Sequence, residues 1–66
     1  MNITVNGKAV QCAPASSIQA LILQLELGPE SVVVERNRDL VPGEAFASTL
    51  LEEGDTLEIL QFVGGG

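Results

Sequence analysis

Apolar and polar residues alternate through Ile3-Thr4-Val5 and again through Val10-Gln11-Cys12, with Asn6-Gly7 between the two runs. Strict alternation is the period of a strand with one face in water, and Asn-Gly is the pair best suited to a two-residue type I′ turn. The pattern predicts a β-hairpin in one register, with Val5 opposite Lys8, Thr4 opposite Ala9 and Ile3 opposite Val10. Ile3, Val5, Val10 and Cys12 then share one face, and Asn2, Thr4 and Gln11 the other. Cys12 therefore points toward a core.

The period then lengthens. Ile18, Leu21, Ile22 and Leu25 recur at the i, i+3, i+4, i+7 spacing of one apolar helix stripe, predicting a helix from Ser17 to Leu27. Ser16-Ser17-Ile18-Gln19 opens it with a hydroxyl followed three residues later by Gln, the spacing of a capping box, and Gly28-Pro29 closes it. Val32, Val33 and Val34 make Ser31 to Arg36 a third strand, and Asn37 to Asp39 a turn after it. Leu40-Val41 is extended ahead of Pro42, and Glu44 to Ser48 forms a short helical turn. Glu52-Glu53-Gly54-Asp55 is a polar turn before the last strand, Thr56 to Val63. This is an α+β pattern in which one main helix packs across one face of a mixed four- to five-stranded sheet. Residues 1–63 make the domain and residues 64–66 a flexible glycine tail.

The last strand is apolar on both sides. Leu57 and Ile59 fall on one face, and Glu58, Leu60 and Phe62 on the other. If Leu57 and Ile59 meet the helix, Leu60 and Phe62 are left outside beside the tail as a docking surface. The alternative is that Phe62 folds back under a loop as ordinary core.

Composition narrows the function. Sixty-six residues, 45% of them apolar, suit one folded domain. A net charge of -6 opposes nucleic acid and anionic membrane surfaces as partners. It suits a partner with a basic docking face, or serves only to keep a small apolar protein in solution. Cys12 is the single cysteine and there is no histidine, so neither an internal disulfide nor a nitrogen-and-sulfur zinc site is expected, and a reducing cytoplasm is the natural setting. Met1 leads into alternating residues rather than a signal peptide, and Ile18 to Leu27, interrupted by Gln19, Gln24 and Glu26, is too short for a membrane span.

With no histidine or tyrosine, the stock of acids, bases and nucleophiles is too small for an autonomous enzyme. Cys12 reads as a small buried hydrophobe, and Glu52 and Glu53 as solvated surface. Arg36 and Arg38 are surface charges or partners for a docking protein.

The chemistry is concentrated in Gly64-Gly65-Gly66. Extended, three residues span about 10 Å, and a glycine backbone passes through a slot too narrow for any β-carbon. The carboxylate of Gly66, with a pKa of about 3.3–3.7, is ionised and a poor electrophile until it is activated. Transfer to the α-phosphate of ATP makes an acyl-adenylate, and sulfur from a persulfide then gives a nucleophilic thiocarboxylate. A glycine run can equally be a frayed end with no role.

End to end, the chain resembles the ThiS family, the sulfur carriers of thiazole formation in thiamine biosynthesis. The resemblance is carried by Met1-Asn2-Ile3-Thr4-Val5-Asn6-Gly7, Ile18-Gln19-Ala20-Leu21-Ile22-Leu23-Gln24-Leu25, Val34-Glu35-Arg36-Asn37, Leu40-Val41-Pro42, Glu53-Gly54-Asp55-Thr56-Leu57-Glu58-Ile59 and Val63-Gly64-Gly65-Gly66. It implies a ubiquitin-like β-grasp fold and three partners: a ubiquitin-activating-type, ThiF-like adenylating enzyme, a persulfide sulfur donor, and a ThiG-like thiazole synthase. The carrier is then a protein co-substrate with no stably bound cofactor and no metal, ATP being consumed by the activating enzyme. Gly66 is the reacting residue and Gly65 its required neighbour, with Gly64, Val63, Phe62 and Leu60 meeting partners. Members commonly carry a basic residue and then a bulky aromatic after the Val-Pro pair, where this chain has Gly43 and Phe46. The small subunit of molybdopterin synthase is a related alternative, and a ubiquitin-like modifier or plain binding module a more distant one.

Overall fold

The computed structural model describes residues 1–62; Val63, Gly64, Gly65 and Gly66 lie outside the described residues. Asn6 and Gly7 take φ of 50° and 82°, the positive angles that a type I′ turn requires. They join β1 (Asn2–Val5) to β2 (Lys8–Gln11) in the register expected from the alternation. Ile3, Val5 and Cys12 are buried and Val10 is half-buried against them.

The helix α1 spans Ile18–Gln24, shorter at both ends than the periodicity suggests. Its cap is Ser17, whose Oγ accepts the Ala20 N–H at 3.0 Å. The Ser16 hydroxyl instead donates to the Ala13 carbonyl at 2.7 Å, so the Ser16–Gln19 capping box does not form. At the other end Glu26, at φ 63°, stops the helix two residues before Gly28. The Glu26 N–H donates to the Leu23 carbonyl and the Leu27 N–H to the Ile22 carbonyl, both at 3.0 Å, which is the paired pattern of a Schellman stop. It turns half-buried Leu27 back onto the core. That burial outweighs the strain of a left-handed glutamate, about 1–2 kcal/mol.

After a 3-10 turn at Pro29–Ser31, β3 (Val32–Arg36) and β4 (Asp39–Val41) form a second hairpin around Asn37 and Arg38, at φ 50° and 75°. A further 3-10 turn, Gly43–Ala45, leads to Phe46. The last strand, β5, is Thr56–Gln61. It runs parallel to β1 and antiparallel to β3, giving a five-stranded mixed sheet in the order β2-β1-β5-β3-β4.

Ile18, Leu21 and Ile22 from the helix meet Val34, Leu57 and Ile59 from the sheet, and Phe46 and Leu51 close the margin. Phe46 is 2% exposed, and its carbonyl accepts the Gln19 N–H at 3.1 Å, so it is core and not a surface aromatic. Gly43 faces open space. The departure after Val41-Pro42 therefore leaves the core filled. One helix held by a mixed sheet in this strand order is the ubiquitin-like β-grasp arrangement.

Candidate functional site

The tail leaves from β5, and β5 is held from both sides by asparagines. Asn6, in the first hairpin turn, accepts the Ile59 N–H at its Oδ1 (2.8 Å) and donates from Nδ2 to the Ile59 carbonyl (3.0 Å). Asn37, in the second turn, accepts the Thr56 N–H at 3.0 Å and donates to Asp55 Oδ1 at 3.1 Å. Each side chain thus ties a hairpin to β5 across at least eighteen positions of sequence.

Asp55, immediately before β5, is 6% exposed. Its carboxylate accepts from the Asn37 amide, from the Glu52 N–H at 2.8 Å and from Arg36 Nε at 2.9 Å. Burial pushes its pKa up, but those donors and the nearby guanidinium outweigh it, and the net shift is down. Arg36 is thereby an internal partner, not a free surface charge, with Glu52 3.9 Å away as a second, exposed contact. Glu53 is also engaged, accepting the Asn2 N–H at 3.1 Å.

Leu57 and Ile59 are buried under the helix, and the opposite face of the sheet has no covering layer among the described residues. Leu60 there is 67% exposed and Phe62 52%, so Phe62 does not fold back into the core. The Phe62 N–H still donates to the Ser31 carbonyl at 3.0 Å, which anchors the chain where the tail begins. Val33 pairs with Leu60 and Leu40 with Glu35 across the strands, and both leucine and valine are exposed. The outcome is an exposed face on which Val33, Leu40, Leu60 and Phe62 stand with Glu35 and Glu58.

Leu60 and Phe62, expected from alternation, are therefore brought together on the bare face. Val63, Gly64, Gly65 and Gly66 lie outside the described residues. Val33 and Leu40 were not anticipated, because their membership depends on strand order, and no local signal marks the two asparagines or Asp55 as clamps. Cys12 is a free, buried thiol. Among the described residues no group of three or more His, Cys, Asp or Glu side chains is placed to hold a metal ion, and no helix is long and apolar enough to cross a membrane.

Comparison with known proteins agrees with this geometry. The ThiS family model matches residues 3–66. A crystal structure of the thiamine biosynthesis protein (ThiS) from Geobacter metallireducens superposes with a TM-score of 0.84 at 39% identity, covering 100% of both chains. The sulfur carrier protein ThiS of Escherichia coli (strain K12) is 30% identical over 100% of both chains. The thiazole synthase of Paramagnetospirillum magneticum is 35% identical over all of this chain, which spans 20% of that protein's length.

Proposed function

The chain belongs to the ThiS family, and from that membership we propose that it is a sulfur carrier of thiamine biosynthesis whose working group is the carboxylate of Gly66. The observation that carries the reading is the extent of the family match, which runs through the β-grasp domain and on to Gly66 itself. The anchored root of the tail supports it, since the N–H of Phe62, the last described residue, donates to the Ser31 carbonyl just before β3.

The chemistry follows from what a carboxylate lacks. Its oxygen attacks the α-phosphorus of ATP in an adenylating enzyme of the ubiquitin-activating type, pyrophosphate leaves, and the Gly66 carbonyl becomes an acyl-adenylate. The outer sulfur of a protein persulfide attacks that carbonyl and AMP leaves. A second thiol then attacks the inner sulfur of the resulting acyl disulfide, forming a protein disulfide and releasing the thiocarboxylate with its electron pair on sulfur. Thiazole synthase accepts that sulfur. Gly65 and Gly64 let the carbonyl reach both enzymes through narrow channels, while Leu60 and Phe62, with Val63, dock on the enzyme surface. The carrier is a co-substrate in these steps, and the cytoplasm, where thiols stay reduced, is the compartment that suits a persulfide relay.

The test is the intact mass of the chain after incubation with the adenylating enzyme, ATP and a persulfide donor. Replacement of one oxygen by sulfur, located in the C-terminal peptide, is the expected result. Location matters because oxidation of Met1 or Cys12 adds nearly the same mass. An unaltered C-terminal peptide beside a competent enzyme contradicts the reading.

A further inference from the structure

The bare face is not uniformly apolar. The β3–β5 register sets Glu35 directly opposite Glu58, and opposed side chains on one face of a sheet stand with β-carbons about 4.5–5.5 Å apart. Like charges so placed weaken a sheet. Among the described residues neither carboxylate has an ion-pair or hydrogen-bond partner, because Arg36 is engaged with Asp55 on the other face and Arg38 pairs with neither. Val33 and Leu60 are the next outward-facing pair along the same two strands, and Leu40 sits beside Glu35 on β4. Shallow depressions of about 540 and 240 Å³ adjoin the carboxylates; Glu35 and Glu58 line both, joined by Asn37, Arg38 and Thr56 in the larger and by Val33 and Leu60 in the smaller.

An acidic pair with Val33 and Leu60 on one side, Asn37, Arg38 and Thr56 on the other, and no ion-pair partner of its own among the described residues complements a single cation carried on a partner's surface. Resting on the sulfur-carrier reading, we infer that Glu35 and Glu58 together receive one guanidinium from thiazole synthase when that enzyme covers this face. A guanidinium is the matching group because its planar fork offers five donors to two carboxylates, whereas an ammonium is a compact point charge. Thiazole synthase is the partner because chains of that name from two organisms contain a segment similar to this chain over its full length, so that a domain of this kind and the enzyme share one polypeptide. Phe62 belongs to the same face and leads into the tail, so delivery of the tail to the enzyme brings the acidic pair against it.

The test is binding of the full chain to purified thiazole synthase, measured by calorimetry at several salt concentrations for wild type, E35Q, E58Q and the double variant. Each single substitution is expected to weaken binding by about tenfold or more and to flatten its salt dependence. The double variant loses less than the product of the two single losses, since both groups hold one cation. Thermal melting of every variant is expected to match or exceed wild type, because the repulsion is relieved. Wild-type affinity in the double variant overturns the inference, as does a loss confined to the adenylating enzyme. A wild-type chain that binds the synthase but never acquires sulfur at Gly66 contradicts the sulfur-carrier reading instead, so the two failures are told apart.

Discussion

The two faces of the sheet use similar side chains for opposite ends. On one, Val34, Leu57 and Ile59 are sealed beneath Ile18, Leu21 and Ile22. On the other, Val33, Leu40, Leu60 and Phe62 stand between 40% and 67% exposed, with Glu35 and Glu58 among them. Hydrophobicity alone does not separate the faces. Cover does: the one α-helix among the described residues closes one side of the five strands and leaves the other bare. The covered face therefore carries stability, and the bare face is free to carry recognition.

The largest effect expected is on the covered side. Leu57→Ala removes a fully buried side chain and should cost about 2–5 kcal/mol in urea unfolding. A loss below half a kilocalorie would break the division between the faces.

Next is the seam where β5 begins. The folded-state pKa of Asp55 lies below its ordinary value, so its contribution to stability is complete above about pH 4 and is lost as pH falls through the folded-state pKa. Asp55→Asn should lower stability at neutral pH and flatten the acid limb of the unfolding profile. An acid limb as steep as that of wild type would show that Asp55 is not the group responsible.

Smaller gains are expected where residues other than glycine hold positive φ. Glu26→Gly at the helix stop and Arg38→Gly in the second hairpin turn should each raise stability by about 0.5–1 kcal/mol. The first turn already has Gly7 at the equivalent place. If neither substitution stabilises, the positive φ at Glu26 and Arg38 carries no strain for the surrounding packing to overcome.

Phe62→Asp should change stability least, by no more than about 0.5 kcal/mol, while weakening docking to the adenylating enzyme and thiazole synthase. A large drop in melting temperature with docking intact would reverse the assignment of the two faces.

These contrasts also mark which features local sequence reveals. The first hairpin was legible to the residue because Asn6-Gly7 prefers one turn type and alternation then admits one register. The inward and outward positions of β5 were legible for the same reason. The helix stop was not, since Gly28-Pro29 is the better local signal and the packing of half-buried Leu27 on the core decides the matter at Glu26. Nor were the asparagine clamps or the setting of Asp55, which join residues eighteen to fifty-three positions apart. Val33, Leu40 and the Glu35–Glu58 opposition emerge only once β3 is known to lie between β4 and β5. Local chemistry identified the two ends of the docking surface, and topology assembled its middle.

The most direct test of the central claim is thiazole formation with a chain lacking Gly66, alongside its melting temperature. The account predicts wild-type stability, because the helix and all five strands named above lie within residues 2–61, and no sulfur transfer. Sulfur transfer at the wild-type rate from the shortened chain would contradict the assignment of the Gly66 carboxylate as the working group.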